Sequence, residues 1–511
     1  MDEGLAGLAA GYAFDVPAAG LGRAVKGEEV NTGFEVAVPL AMLNRHGLVA
    51  GATGTGKTKT IQGLAGRLSD AGVPCFVADM KGDVSGMAEP GEASDKVAAR
   101  IEQLQAPWDP HPSPVELLTL SGDPAKGVPV RASVSGFGAQ LLSKVLDLND
   151  VQTSVLSLVF HYADSGGLLL VDLKDLREVL KFLGTDEGQA AVADLGGVAR
   201  PTLGVLLRKL VELEEQGVAG LFGEPAFDVD DLLRTDPSGR GMVTLLELAD
   251  VADRPRVFST FMMWLLAELF EALPEVGDLD KPKLVFFFDE AHLLFDGASK
   301  AFVEQVQRTV RLIRSKGVGV FFITQLPQDL PDEVLAQLGN RVQHALRAIT
   351  PKDAAAIDKT VQTYPMTDVY DLASALTSLG VGEAVVTVLS PDGVPTPVAW
   401  TRLYPPQSRM APADPATVQS GIAGSAIHAR YGQTVDPDSA YERLTARLQQ
   451  AEADKPIPAP SAPERSGKAP GPGGVDTHDL IQMGKMALRF MNTPAGREIQ
   501  RSIFGVLRKR R

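Results

Sequence analysis

The fold is decided by residues 46–65, HGLVAGATGTGKTKTIQGLA, where a short apolar run leads into a glycine-rich loop and then into a helix-compatible segment. The loop fits the pattern G-x-x-x-x-G-K-[ST], and strand, loop and helix form the context that this motif requires. Glycines let the backbone wrap around phosphate groups, and the free N–H groups at the start of the helix point towards them. The sequence therefore predicts a phosphate-binding loop (Walker A) for a nucleoside triphosphate.

Each residue type in this loop has a chemical task. Lys57 is expected to reach the β- and γ-phosphates of ATP, and the Thr58 hydroxyl is expected to bind Mg²⁺. An ordinary glycine-rich turn is the alternative interpretation, and the correct flanking segments argue against it. We therefore expect ATP and Mg²⁺ as ligands, with the following nucleotide-binding residues: Gly51, Ala52, Thr53, Gly54, Thr55, Gly56, Lys57, Thr58 and Lys59.

An acidic pair ends a second apolar run, LVFFFDE at residues 284–290. Asp289 is expected to hold the magnesium shell (Walker B), and Glu290 to polarise the attacking water as general base. A strand end with two solvated acids is the alternative. His292 imitates the Asp-Glu-Ala-His box of one helicase superfamily, but the sequence contains one phosphate loop and no second motor half.

Two further turns are candidates for the same site. Gln325 ends the apolar run 317–324 and is expected to sense the γ-phosphate or to orient water, with a plain strand-end amide as the alternative. The charged turn of residues 79–83, DMKGD, ends another run and either lines the site or is an ordinary loop.

Strand-like runs recur between His46 and Pro406, and several are continuously apolar, as expected of parallel strands covered by helices on both faces. The predicted fold class is α/β. These runs are residues 47–49, 74–78, 241–246, 283–288, 317–324, 342–348 and 383–389.

Composition divides the chain further. Leucines at spacings of three and four predict helices within residues 94–238, and six Pro and four Gly among residues 451–475 predict a flexible linker. Eight Lys or Arg against three acids follow it, alternating with apolar residues. The predicted segments are a small N-terminal lead-in (1–40), an ATPase core (41–406) with a helical insertion (94–238), a C-terminal helical extension (407–450), the linker (451–475) and a basic amphipathic helical tail (476–511).

The bulk composition restricts the compartment and the partners. The single cysteine, Cys75, excludes an intrachain disulfide framework and lies in an apolar run, so we expect a buried thiol in a reducing cytoplasm. The acidic N-terminus does not resemble a signal peptide, and the apolar run 257–273 contains two Glu and predicts a core helix rather than a membrane span. We expect a cytoplasmic protein without a membrane partner. A net charge of −15 argues against a surface that coats nucleic acid as a whole.

With these residues assembled, the chain resembles the HerA/FtsK group of motor ATPases, and within it the bacterial HerA-like family. The segments that carry the resemblance are residues 47–58, 79–83, 288–292, 323–325 and 379–384, with the downstream Pro405 and Pro406. They span residues 30 to 410. The resemblance implies a RecA-like sheet, a hexameric ring and ATP-driven translocation on double-stranded DNA.

The resemblance also implies that ATP lies between subunits and that an arginine from the neighbour completes the site, where it stabilises charge on the transferring phosphoryl group. Arg341, at the start of the strand after Gln325, matches the position where such an arginine is often found. Arg311 and Arg314 are the alternative candidates. Each could instead be a solvated charge on a helix face without a role in the site.

Three functions remain open from the sequence. The first is a DNA-translocating, helicase-like ATPase. The second is an ATP-dependent assembly or scaffold that regulates a partner such as a nuclease, with the tail 476–511 as the docking element. The third is a motor that moves protein. DNA-stimulated turnover distinguishes the first from the other two.

Overall fold

The computed structural model describes residues 3–27, 29–295 and 300–453. Residues 1–450 form one compact unit and residues 451–511 a second. The predicted linker is described only as far as residue 453, which still belongs to a helix, and the predicted basic tail lies outside the described residues.

One twelve-stranded sheet organises the first unit, with the order β2-β1-β12-β11-β10-β3-β9-β8-β4-β7-β5-β6. The strands are β1 (Ala18–Lys26), β2 (Glu29–Pro39), β3 (Gly47–Ala50), β4 (Cys75–Asp79), β5 (Val115–Thr119), β6 (Val128–Pro129), β7 (Val243–Glu247), β8 (Leu284–Phe288), β9 (Val318–Thr324), β10 (Asn340–Gln343), β11 (Glu383–Thr387) and β12 (Ala399–Leu403).

The described α-helices lie before, between and after these strands. They are α1 (Glu3–Gly11), α2 (Lys57–Asp70), α3 (Asp95–Leu104), α4 (Val134–Val145), α5 (Asp150–Ser165), α6 (Leu173–Leu183), α7 (Asp186–Ala191), α8 (Arg200–Glu215), α9 (Pro255–Ala272), α10 (Lys300–Ile313), α11 (Asp332–Leu335), α12 (Pro351–Val361), α13 (Leu372–Ser378), α14 (Pro415–Ala423), α15 (His428–Tyr431) and α16 (Ala440–Ala453).

The sheet is parallel from β10 through β3, β9, β8, β4, β7 and β5 to β6, and antiparallel from β10 outward through β11, β12, β1 and β2. The parallel strands are continuously apolar because both of their faces are covered. In β8, for example, Phe286 and Phe288 face one apolar cluster with α9, whereas Val285 and Phe287 face another with α2. The predicted α/β class is confirmed, and the seven predicted runs each contribute to a strand.

The N-terminal segment is more than the expected lead-in. Strands β1 and β2 pair with each other, and β1 joins the main sheet by pairing with β12. Both strands mix apolar residues with small, polar and charged ones, so the long continuous apolar run that identifies buried parallel strands is missing from them. Leu8 of helix α1 and Tyr12, which follows the helix, belong to the apolar cluster beneath them.

The segment of residues 94–238 also differs from an insertion made only of helices. Helices α4 to α8 are present, but β5 and β6 extend the parallel sheet beyond β7. Five-residue and two-residue strands are too short for their periodicity to stand out from the surrounding helical pattern.

Helix α9, the most apolar predicted segment, is a core helix as expected, since the side chains of its central residues 260–267 are all buried. Within residues 3–27, 29–295 and 300–453, no helix combines the length and the apolar character needed to cross a bilayer. Cys75 is a free, buried thiol whose pKa is raised by burial.

Tyr12 tests whether the N-terminal segment is part of the core. Its hydroxyl lies 3.0 Å from the carbonyl oxygen of Pro397 and 3.1 Å from that of Val386, and it can donate to either. We expect Tyr12→Phe to lower the free energy of unfolding by about 1 kcal/mol, because a buried acceptor loses its donor. The control is Tyr441→Phe, whose ring is 39% exposed. Equal urea midpoints for both variants would contradict this packing.

Candidate functional site

The candidate site lies at the edge of the sheet where the parallel strands have their carboxyl ends, which is where open α/β sheets bind ligands. Strand β9 lies between β3 and β8. The phosphate loop follows β3, Gln325 follows β9, and Asp289 follows β8. The turn after β4, residues 79–83, lies on the far side of β8. The four motifs found in the sequence are therefore brought to one edge.

The backbone of the phosphate loop favours glycine at three places, Gly51, Gly54 and Gly56, where φ is positive. Gly51 has φ of 150°, and a Cβ there would come within 2.5 Å of the Cβ of His344. Gly56 has φ of 113° and precedes α2 without any side-chain cap. The N–H groups in the first turn of α2 are therefore left for a ligand, and they carry the positive end of the helix dipole.

Lys57 folds back onto the loop. Its Nζ donates to the carbonyl oxygens of Gly51, at 2.5 Å, and Ala52, at 3.2 Å. Burial lowers the pKa of Lys57, and the nearby carboxylates of Glu290 and Asp289 act in the opposite direction. The ammonium group of Lys57 is thus bound to carbonyl oxygens of the phosphate loop and lies close to Glu290 and Asp289.

The two acids at the end of β8 differ in their surroundings. Asp289 is only 3% exposed, and its Oδ2 has no hydrogen-bond partner within the described residues. Burial, and then the neighbouring Glu290, raise the pKa of Asp289 to about 6. A buried carboxylate oxygen without a partner is costly unless a cation or a donor satisfies it.

Glu290 occupies the left-handed region, with φ of 47°, which is uncommon for a residue with a side chain. Its Oε1 accepts a hydrogen bond of 2.6 Å from Lys81 Nζ. Its Oε2 is buried without a hydrogen bond among the described residues, because His292 Nδ1 lies 3.5 Å away. One oxygen is thus bound to a cation, and the other is free to accept a proton.

Lys81 is a site residue whose contact with Glu290 the sequence did not reveal. The turn that carries it is fixed by Asp79, which accepts backbone hydrogen bonds from Lys81, Gly82 and Val84 at 3.1, 2.8 and 2.9 Å. Although partial burial opposes it, the hydrogen bond to Glu290 raises the pKa of Lys81. The turn of residues 79–83 therefore lines the site.

His344 packs against the phosphate loop. The sequence analysis did not identify it as a residue of the site. Its backbone N–H donates to Ala50 at 2.7 Å, and its Nε2 lies 2.9 Å from the hydroxyl of Thr60. Burial, and then Lys57, lower the pKa of His344 to about 4, so the ring is neutral at neutral pH. A neutral ring adds no further positive charge beneath Lys57.

The remaining predicted residues lie around this centre. Gln325 is exposed and lines a cleft of about 420 Å³ together with His292. Lys59 points along the other side of α2, where its Nζ donates to the Met410 carbonyl oxygen. Thr58 is half-buried in the first turn of α2.

Arg341, the arginine expected to act on a neighbouring subunit, forms hydrogen bonds within its own chain. Its Nη1 donates to the carbonyl oxygen of Thr363 at 3.0 Å, and its Nε donates to that of Leu338 at 3.3 Å. The guanidinium group thus joins β10 to loops of its own chain. The alternatives, Arg311 and Arg314, are exposed, and neither side chain forms a hydrogen bond or an ion pair with any described residue.

These residues fit a triphosphate with Mg²⁺. The loop offers uncapped N–H groups and an ammonium group, and Asp289 offers an unpartnered oxygen. In the described part of the chain no group of three or more His, Cys, Asp or Glu is arranged to hold a metal. Mg²⁺ does not need such a cage, because it binds through one or two protein oxygens together with substrate phosphates and water.

Comparisons with known proteins agree with this geometry. The family described as Helicase HerA-like C-terminal matches residues 25–511. The DNA double-strand break repair helicase HerA of Sulfolobus acidocaldarius is 21% identical over 380 residues, which cover 70% of this chain and 66% of that protein. The chain thus spans slightly less than two thirds of the length of this curated relative.

Solved structures share the fold at low identity. Plasmid coupling protein TrwB in complex with the non-hydrolysable GTP analogue GDPNP has a TM-score of 0.51 and 16% identity, covering 78% of this chain and 98% of that one. TrwB in complex with ADP and Mg²⁺ has a TM-score of 0.50 with the same identity and coverage. At this identity the likeness shows the fold alone.

The contact between Lys81 and Glu290 gives a first test of the site. We expect Lys81→Met to weaken binding of Mg²⁺–ATP by about tenfold, because one cation is lost beside two carboxylates that repel the phosphates. Lys81→Arg should retain most of the affinity. The matched control is Lys181→Met, which removes a lysine that pairs with Glu178 on α6. Calorimetric titration that gives equal affinity for Lys81→Met and wild type would exclude Lys81 from the site.

Proposed function

The chain belongs to the Helicase HerA-like C-terminal family, and on that premise we propose that it is a ring-forming motor ATPase that hydrolyses ATP with Mg²⁺ and moves along double-stranded DNA. The observation that carries the ATPase part is the convergence of Lys57, Asp289 and Glu290 at one sheet edge, with the charges of the two acids acting on the ammonium group. The nucleotide and Mg²⁺ in the TrwB complexes support the same assignment.

The residues of the chain divide the reaction among them. When ATP enters, Lys57 exchanges the carbonyl oxygens of Gly51 and Ala52 for phosphate oxygens. The first-turn N–H groups of α2 bind phosphate oxygens along the helix axis. Glu290 Oε2 accepts the proton of the attacking water, while Lys81 holds Oε1 and thereby fixes the carboxylate.

Thr58 and Asp289 are the residues that would hold Mg²⁺, and Gln325 would orient the water from the neighbouring strand end. Held there, the ion would neutralise part of the negative charge of the phosphates. The proposed contact with Mg²⁺ would also offset the free-energy cost of burying Asp289 Oδ2 without a partner.

Two substitutions separate binding from hydrolysis. Lys57→Ala should abolish turnover and weaken ATP binding, because a cation on the phosphates is lost. Glu290→Gln should retain ATP binding and slow hydrolysis by about 10² to 10⁴, the range for a general base. The control is Glu304→Gln, since Glu304 is 64% exposed on α10. Phosphate release from Glu290→Gln at the wild-type rate would move the general base elsewhere.

The ring proposal concerns the arginine that acts on a neighbouring subunit. In a head-to-tail interface this arginine must lie on a surface other than its own nucleotide site. The guanidinium of Arg341 is bound to carbonyls of its own chain, whereas Arg311 and Arg314 are exposed and unpaired among the described residues. We therefore assign the role to Arg311 or Arg314 and a structural role to Arg341.

Mixed assemblies test this assignment. The double substitution Arg311→Ala/Arg314→Ala should abolish hydrolysis and leave ATP binding unchanged, because the arginine acts on the transition state of another subunit. Adding Lys57→Ala subunits should restore part of the activity, since one intact site then forms between unlike subunits. Arg341→Ala serves as the comparison and should instead lower the urea midpoint. Verified mixed rings without any activity would contradict a role in trans.

The DNA part of the proposal rests on the printed name of a relative, within a limit that the charge of this chain sets. The whole chain carries a net charge of −15, so contact with DNA must be restricted to a small cationic surface. The printed name of the Sulfolobus relative, a DNA repair helicase, supports this choice of substrate over protein.

A salt series tests the DNA part. Duplex DNA should stimulate ATP hydrolysis, and the DNA concentration for half-maximal stimulation should rise steeply between about 50 and 200 mM salt, because phosphate contacts release counterions. The rate without DNA should change little over the same range and is the internal control. Turnover that is indifferent to DNA at low salt would favour a scaffold or a protein motor instead.

A further inference from the structure

A second cavity, of about 190 Å³, lies at the far end of α2 from the phosphate loop and has no role in the chemistry above. Its walls come from β1, β2, the last turn of α2, the end of α3, and the segments of residues 106–108 and 404–407. On α2 its lining residue, Arg67, follows Lys57 by ten residues, which is about 15 Å of helix. The cavity is smaller than the roughly 300–1,000 Å³ of pockets for drug-sized ligands, so its ligand must be small.

Arg23 of β1 brings a cation without a partner to this cavity. The residue is half-buried, and its Nε is shielded from solvent without a hydrogen bond among the described residues. The rest of its guanidinium group likewise forms no hydrogen bond or ion pair with any residue that the structure describes. A buried N–H without an acceptor is costly, and folded proteins rarely leave one.

Arg67 brings a second guanidinium group, of which only part is used. Its Nη1 donates to the carbonyl oxygen of Gly63 at 3.0 Å, and its Cζ lies 5.3 Å from the centre of the Tyr404 ring. Its Nε and Nη2 have no hydrogen bond with a described residue. Burial lowers the pKa of Arg67, but a guanidinium group stays charged at neutral pH. Two cations therefore line the cavity with most of their donors unused.

Glu35 of β2 offsets one of these two charges. It is exposed and lines the same cavity. The phenol of Tyr404 stays neutral, because burial, and then Glu35, raise its pKa. Gln407 lines the cavity with an uncharged amide. Two guanidinium groups and one carboxylate thus leave one net positive charge, which a singly charged anion neutralises, whereas a doubly charged anion is also repelled by Glu35.

The remaining wall suits a flat apolar body. Trp108 lines the cavity together with Ile101 and Leu104. The indole ring is held in place, because its Nε1 donates to the carbonyl oxygen of Pro406 at 2.9 Å. Aromatic and apolar walls with a few polar groups are the usual lining of a small-molecule site.

We propose that this cavity binds a small carboxylate with a planar apolar body, of the size of benzoate. The carboxylate lies between Arg23 and Arg67, and the body lies against Trp108. The planar fork of a guanidinium group matches the two oxygens of a carboxylate. The ligand joins β1 to the helix that begins at the phosphate loop, and the proposal does not depend on the proposed ATPase function.

Three probes separate the charge of the ligand from its shape. Benzoate, benzamide and inorganic phosphate are titrated into the full chain without nucleotide, and binding is followed by calorimetry and by the fluorescence of Trp108. Benzamide has the shape of benzoate without its charge, and inorganic phosphate has the charge without the apolar body.

Arg23→Met and Arg45→Met form a matched pair of variants. Arg45 is also half-buried, and its Nε also lacks a partner among the described residues, but it does not line the cavity. Ala106→Leu is a second variant, which narrows the cavity without removing a charge. The urea midpoint of each variant shows whether it is folded.

Wild type should bind benzoate saturably with a Kd below about 1 mM. It should bind benzamide at least about tenfold more weakly, because the charge-assisted hydrogen bonds are lost. Arg23→Met and Ala106→Leu should each weaken benzoate binding by at least about tenfold. Arg45→Met should match wild type.

Four results would overturn the proposal. Folded wild type that does not bind benzoate has no such site. Equal affinity for benzoate and benzamide shows that no anion is recognised. Equal losses in Arg23→Met and Arg45→Met show an effect of net charge alone. Inorganic phosphate that binds more tightly than benzoate, and that Arg23→Met weakens, shows a phosphate site instead.

Discussion

Parallel pairing of β3, β9 and β8 is the constraint on which the rest of the structure depends. The register aligns Ala50 with Thr324 and Phe288 with Phe322, so the phosphate loop and the acidic pair emerge from neighbouring positions at one edge. The pairing is possible because helices cover both faces of these strands, which allows every residue of β8 to be apolar. A slip of one residue would exchange the two buried faces and displace Asp289 from the loop.

The site balances its charges without a ligand. Lys57 is held by two carbonyl oxygens of the loop, and Lys81 is held by Glu290, so neither ammonium group is left unpaired in the half-buried edge. Asp289 Oδ2, like Glu290 Oε2, is buried without a hydrogen-bond partner among the described residues, and burial raises the pKa of Asp289. A buried carboxylate oxygen without a partner is stabilised when a cation binds it. This is the physical reason to expect Mg²⁺ at Asp289.

Much of this architecture could be predicted from the sequence, because the decisive signals are local. The loop of residues 51–58 and the run of residues 284–290 each contain a strand and its terminal chemistry within a few residues. The antiparallel strands β1 and β2 could not be placed in this way, because they join the main sheet through the pairing of β1 with β12, which lies hundreds of residues further along the chain. The contact of Lys81 with Glu290 and the packing of His344 against the loop are likewise tertiary contacts. Neither residue type nor spacing in the sequence predicts them.

Arg341 illustrates what the position of a residue in the sequence leaves undetermined. The sequence places an arginine at the start of the right strand, yet the direction of its side chain depends on where carbonyl groups of residues 335–363 come to lie. Packing decides whether a guanidinium group binds groups of its own chain or stays accessible to another subunit. Exposure in the folded chain is therefore a better guide to a role between subunits than position in the sequence.

The measurement that tests the central claim most directly is phosphate release by the purified full chain with ATP, in the presence of Mg²⁺ and after its removal by a chelator. The account predicts saturable turnover that stops when Mg²⁺ is removed and resumes when it is returned. Absence of turnover with Mg²⁺, or turnover that the chelator does not affect, would contradict a site built from the phosphate loop and Asp289.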